Sequence, residues 1–138
     1  MENIELPSSL EYILDGAFRD CMSLQTVILP SSLTAISSNL FRYCTALQTI
    51  VVPYGVDTIE YKAFCGCLAL RTVVLPDSVT TIGDEAFRGC ISLQSVVIPD
   101  SVTTIRVWAL SGCSSLRSII MPKGKRNYFE QLLKEYHN

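Results

Sequence analysis

The chain has 138 residues, 49% of them hydrophobic and 17% charged, which is ample for one ordered core and too apolar for a disordered chain. Eleven basic and thirteen acidic residues leave a net charge of −2 and lie scattered along the sequence, so no electrostatic footprint for nucleic acid or an anionic membrane is present. No apolar run approaches the roughly 18 residues of a membrane span, and the opening MENIELPSSL lacks the basic segment and apolar stretch of a signal peptide; the reading is of a soluble chain, with any export signal upstream of Met1.

Taken in order, the first element is a partial strand, Asn3 to Leu6. From there the sequence repeats. Pro7, Pro30, Pro53, Pro76, Pro99 and Pro122 stand 23 residues apart without a slip. The same register aligns Leu24, Leu47, Leu70, Leu93 and Leu116, then Ile13, Ile36, Ile59, Ile82 and Ile105, then Cys21, Cys44, Cys67, Cys90 and Cys113, with Phe18, Phe41, Phe64, Phe87 and Leu110 as a further column. A fixed period of this length marks a solenoid, in which each repeat is too small to bury its own apolar face and stacks on its neighbours.

Within a repeat, Leu93, Val96 and Ile98 reproduce the L-x-x-L-x-L strand of a leucine-rich repeat, whose period of about 20 to 29 residues brackets this one. Val96 and Ile98 therefore face inward. Pro99 ends the ladder because it has no amide hydrogen to donate. Ser101 to Ile105 carries two further apolar anchors, Val102 and Ile105, round the turn. The segment GDEAFRGC then reads as a short helical or irregular return on the convex side, with Ala86, Phe87 and Cys90 on one buried face. Five coils span 7–121.

The repeat LPDSVTTIGDEAFRGCISLQSVVIP resembles the BspA-like leucine-rich repeat family, whose recurring unit is I-G-x-x-A-F-x-G-C-x-S-L-x-x-V-x-I-P. The likeness covers nearly the whole chain. Repeats 29–51 and 98–120 depart from it, with Ser37 or Arg106 where the glycine is expected and Leu40 or Leu110 in place of Ala or Phe. The resemblance implies an α/β repeat solenoid, a right-handed coil with a parallel β-sheet on its concave face. It also implies a surface or secreted protein associated with adhesion to host proteins, host cells or other microbes.

The tail leaves the period. In KGKRNYFEQLLKEYHN, Tyr128, Phe129, Leu132, Leu133 and Tyr136 recur at i, i+3, i+4 spacing, which predicts an amphipathic capping helix over about 125–137. Val107 and Trp108, apolar where other repeats are polar, are expected to pack under it. The cluster Lys123, Lys125 and Arg126 is read as solvated charge rather than a phosphate or heparin contact. The whole chain, 1–138, is read as one leucine-rich-repeat domain.

Chemistry finds little support. The cysteine column spreads thiols along a line, whereas zinc needs four ligands converging on a point; no metal or cofactor is expected, and the thiols are read as small core residues. Cys65 differs, because its equivalents Arg19, Arg42 and Arg88 are polar, and it is expected to be the exposed, reactive thiol. The only histidine, His137, is next to the last residue, so no Ser-His-Asp or Cys-His arrangement is expected within the rigid fold. Asp77 and Asp100, equivalent positions in adjacent coils, are the best remaining enzyme candidates at the carboxylate spacing of a glycosidase; a solvated column is the preferred reading, and no catalytic residue is assigned.

With Val96 and Ile98 inward, Val97 faces out, and its column is Ile28, Val51, Val74, Val97 and Ile120. An apolar stripe on the sheet face, beside Thr49 and Thr72, flanked by Gln48, Arg71 and Gln94 on one side and Tyr54, Asp77 and Asp100 on the other, has the anatomy of a protein interface. A stripe that only stabilises the sheet is the competing reading. Glu5 holds the stripe position on the first strand, where a charge discourages edge aggregation. The expected function is a non-enzymatic module binding a protein or peptide on this face, possible partners being host or microbial surface proteins. The alternatives are a structural spacer within a longer array, or a carbohydrate-binding surface at Tyr54, Asp77 and Asp100.

Overall fold

In the computed structural model the described residues are 2–122, 124 and 125. Every proline column residue ends a strand and opens a turn. The amide before it still pairs, as where Val52 N donates to Val74 O at 3.0 Å, and the proline keeps its carbonyl, which accepts from the residue three further on. Leu33 N donates to Pro30 O and Val56 N to Pro53 O, both at 3.2 Å, and Val102 N to Pro99 O at 3.1 Å.

Each coil contributes a strand to a broad sheet: β1 (Glu2–Glu5), β2 (Leu24–Ile28), β4 (Thr49–Val51), β6 (Thr72–Val74), β8 (Ser95–Val97) and β10 (Ser118–Ile120). These form three parallel pairs, β1–β2, β4–β6 and β8–β10, lying side by side. The register is the 23-residue repeat itself: Glu5 pairs with Ile28, Ile50 with Val73 and Val96 with Ile119. A second, narrower parallel sheet was not anticipated. It is built from β3 (Ala35–Ile36), β5 (Thr58–Ile59), β7 (Thr81–Ile82) and β9 (Thr104–Ile105), in register from Ile36 through Ile59 and Ile82 to Ile105.

The return segment corrects the α/β class. An α-helix sends every amide to the carbonyl four residues back, and here none does so. In the third coil Ala63, Cys65 and Cys67 donate three residues back, to Glu60, Lys62 and Phe64 at 3.2 Å. The amides between them, Lys62, Phe64 and Gly66, donate to Asp84, Ala86 and Arg88 of the next coil at 2.8–3.0 Å. Aiming alternate amides outward requires two left-handed residues per coil. One column is Gly16, Asn39, Lys62, Glu85 and Trp108, with φ between 54° and 69°; the other is Asp20, Tyr43, Gly66, Gly89 and Gly112, with φ between 62° and 77°. Among the described residues there is no helix, and the chain is a β-solenoid of about five turns, the period expected for one repeat per turn. The capping helix expected at about 125–137 lies outside the described residues except for Lys125, which is in irregular backbone. His137 and Arg126 lie outside them too.

Inside, the columns stack as the repeat demands. Phe18, Phe41, Phe64 and Phe87 lie ring on ring, 5.2–5.6 Å between centroids and within 14° of parallel. Ser37, which departs from the repeat where Gly83 obeys it, is accommodated chemically. A Cβ at Gly83 would stand 2.9 Å from Ile59 O, whereas the buried Ser37 turns its hydroxyl onto the corresponding carbonyl, Ile13 O, at 2.7 Å. The two ends of the core differ in degree: at the first coil Ile13 is buried and Ile4, Leu6, Leu10, Phe18 and Cys21 are half-buried, while at the last Leu110, Cys113, Leu116 and Ile119 are buried and Ile105 and Met121 half-buried.

The cysteines complete the interior. Cys44, Cys67, Cys90 and Cys113 donate their thiol hydrogens to the carbonyls of Phe18, Phe41, Phe64 and Phe87 in the preceding coil, with Sγ to O distances of 3.0–3.2 Å. A small apolar side chain with one weak donor suits this position. Burial pushes Cys44 and Cys113 from 9.0 up to about 12, and Cys67 and Cys90 well above their ordinary value. Cys65 corrects an expectation: it is 8% exposed, a short side chain set among the longer Arg42 and Arg88 of its own column, and burial raises its pKa against the pull of Arg42 and Lys62. Cys21, in the open first coil, is the most accessible thiol.

Three predictions follow from this packing. Gly66→Ala and Gly89→Ala both place an L-residue at positive φ, a cost of about 1–2 kcal/mol. At Gly66 the new methyl also meets the Tyr43 ring at 2.5 Å, while at Gly89 nothing lies closer than 3.8 Å. Urea unfolding should therefore show the larger loss for Gly66→Ala, with the excess vanishing in a Tyr43→Ala background. For the thiols, alkylation of the native protein followed by mass spectrometry should modify Cys21 first and Cys65 only slowly. Unfolded thiols release protons as pH rises through 9.0 while Cys44 and Cys113 keep theirs to about 12, so the urea midpoint should be flat with respect to these groups below pH 9.0 and fall between 9.0 and 12.

Candidate interaction surface

Successive strand residues alternate between faces. In β4, Ile50 is 1% exposed beneath the sheet while Thr49 and Val51 face solvent, and β6, β8 and β10 repeat the pattern. The outward stripe is therefore Ile28 at 61%, Val51 at 63%, Val74 at 49%, Val97 at 53% and Ile120 at 54% exposed. With strands about 4.8 Å apart, it is roughly 19 Å long and one side chain wide. Thr49 and Thr72 lie beside it on the same face, exposed. Glu5 continues the column onto β1 and is exposed as well.

The flanks carry the charge. On the side where the chain enters the strands, Gln48 is half-buried and its Oε1 accepts from Arg71 Nη2 at 3.3 Å, while Arg71, Gln94 and Arg117 are exposed. On the side where it leaves, Tyr54 is 75% exposed and Asp77 and Asp100 face solvent in adjacent coils. Lys125 Nζ donates to Asp100 O at 2.8 Å and to Val102 O, so this member of the basic cluster secures the last turn.

β2 and β4 are neighbours that belong to different ladders, joined at their entry by Gln48 N donating to Gln25 O at 3.1 Å. Over this seam lies an open groove of about 360 Å³, lined by Thr26, Val27, Ile28, Leu29, Thr49, Val51 and Pro53. Ile28 and Val51, the two most exposed members of the stripe, form part of its wall.

Elsewhere, Val107 and Trp108, expected under the C-terminal cap, are exposed side chains. They are 53% and 48% exposed, and the Arg88 guanidinium lies over the indole at 5.4 Å, an arrangement repeated where Arg42 covers Tyr43 and Lys62 covers Tyr61. Among the described residues no three His, Cys, Asp or Glu side chains are grouped to hold a metal ion.

The model of the BspA type leucine rich repeat region matches in six copies, over residues 1–117 and 57–138. Among curated proteins none matches. Among solved structures, a leucine-rich repeat protein from Bacteroides ovatus is 31% identical with a TM-score of 0.81 over 87% of this chain, and the T. pallidum leucine-rich repeat protein is 25% identical with a TM-score of 0.79 over 99% of it. A leucine-rich repeat protein from Eubacterium ventriosum is 25% identical with a TM-score of 0.71 over 86%. The chain spans 33% of the first of these proteins, 83% of the second and 31% of the third. With its 23-residue register, its inward leucine columns and a family model matched along its length, the chain belongs to the BspA-type leucine-rich repeat family.

Proposed function

We propose that this chain is a non-enzymatic recognition module that binds a protein or peptide across its sheet face. The observation that carries the reading is the stripe itself: five β-branched side chains, each about half exposed, aligned on one face between charged and hydroxyl-bearing flanks. A contiguous exposed apolar patch of roughly a few hundred Å² is of the size that is often functional on a protein surface. Burial at about 25 cal/mol per Å² contributes several kcal/mol to association before ordering costs. The family resemblance supports placing this module outside the cell or at its surface, in adhesion.

The half-buried apolar residues of the first coil favour a second reading, a segment of a longer array. Phe18, Leu10 and Cys21 there are half-buried, whereas their equivalents Phe41, Leu33 and Cys44 are buried. The two readings are compatible, since a longer array extends the same face.

The test is selection of binders from a displayed peptide and protein-fragment library, followed by the triple variant Val51→Thr, Val74→Thr, Val97→Thr. Exposed β-branched exchanges of this kind leave stability within about 0.5 kcal/mol each. The expected outcome is at least a tenfold loss of affinity with unchanged circular dichroism and Tm. Binders indifferent to all three substitutions would refute the reading.

A further inference from the structure

The spacing and flanks of the stripe say what shape of partner fits it. We infer that the sheet face, if it is the recognition surface proposed above, takes an amphipathic α-helix laid across the strands, acidic along one flank and basic along the other, with a large apolar side chain seated in the groove between β2 and β4.

The argument is one of matching periods. The stripe presents one apolar side chain per strand, about every 4.8 Å. A helix presents its apolar ridge once per turn, about every 5.4 Å, so about 13 residues cover the full length with a knob near each gap. An extended segment in the same direction presents same-face residues about every 6.7 Å and loses step with the strands after one contact. A second copy of the chain, sheet on sheet, is the poorer fit for a different reason. Packed sheets need broad apolar faces, whereas this stripe is one residue wide between a column of threonines and serines and the proline column, and roughly a few hundred Å² falls short of the roughly 800 Å² per partner of a stable interface.

The flanks then set the helix's charges. Arg71 and Arg117 stand where the chain enters the strands, Asp77 and Asp100 where it leaves, and all four are exposed. Glu2, on the entry side of the first strand, and Lys125, whose Nζ lies against Asp100 O, temper the asymmetry at the two ends. The polarity is therefore sharpest in the third coil, where Arg71 and Asp77 bracket Val74. The seam supplies direction. Its groove of about 360 Å³ opens beside Ile28 and Val51, at one end of the stripe, so a bulky residue at one end of the helix fixes which way it lies.

The experiment uses the full chain and synthetic peptides of about 15 residues: one with a leucine face, a terminal tryptophan, a glutamate flank and a lysine flank; one with glutamine on both flanks; and one of the charged composition broken by two central prolines. Fluorescence anisotropy should show binding of the charged helical peptide, at least tenfold weaker binding of the proline-broken one, and a loss of salt sensitivity with the glutamine one. Arg71→Glu should weaken the charged peptide while sparing the glutamine one. Equal binding of the proline-broken peptide would overturn the inference. So would indifference of the helical peptide to Val51→Thr, Val74→Thr, Val97→Thr. Library binders that need the stripe but include no helix would overturn this inference while leaving the recognition reading intact. Sedimentation showing self-association that the triple variant abolishes would overturn it in favour of a second copy.

Discussion

The structure depends on a single requirement: each coil must hand its backbone hydrogen bonds to the next in constant register. A buried amide or carbonyl without a partner costs as much as a lost hydrogen bond, and a coil of 23 residues has little regular structure of its own in which to satisfy them. Three sets of backbone hydrogen bonds do so. The narrow Ile36 to Ile105 sheet and the return segment, where alternate amides such as Lys62, Phe64 and Gly66 reach the next coil, run continuously along the stack; the broad sheet pairs coils two at a time, with β2 and β4 joined at their entry by Gln48 N donating to Gln25 O. An insertion of one residue within a paired segment shifts the register of that segment against its neighbours, which gives the unbroken spacing of the prolines its physical meaning.

Side-chain chemistry follows from that register. Because equivalent positions lie one above another, each column must tolerate contact with its own kind. Phenylalanine stacks on phenylalanine, cysteine donates to the phenylalanine carbonyl of the coil before, and some charged residues meet an opposite charge or an aromatic face. Arg106 and Asp84, 3.3 Å apart across adjacent coils, and Arg88 over Trp108 are of this kind. The same rule produces the surface stripe. A β-branched residue that favours the strand is repeated at every coil, and repetition turns single exposed valines into a continuous apolar line.

The proposed function is one of surface rather than of a pocket of converging groups. The stacking spreads like residues along lines, so acids such as Asp77 and Asp100 form rows, and all the thiols but Cys21 are enclosed as core. What the sheet face offers is periodicity: one ridge and two flanks, with a groove between β2 and β4.

The sequence by itself determined the coil, its columns and the orientation of the strands, because proline, leucine and phenylalanine repeat at an interval that only stacking explains and strand alternation then assigns Val97 outward. It left the return segment undecided between helix and irregular coil, since Ala86, Phe87 and Cys90 are spaced alike in both. Tertiary structure decided that, for the amides of Lys62, Phe64 and Gly66 find partners in the neighbouring coil that no local pattern reveals. Burial of Cys65 was decided the same way: its column mates are polar, yet a short side chain among arginines is covered by them. The seam between β2 and β4 and its groove belong to the same class, being properties of how two coils approach each other rather than of either coil's residues.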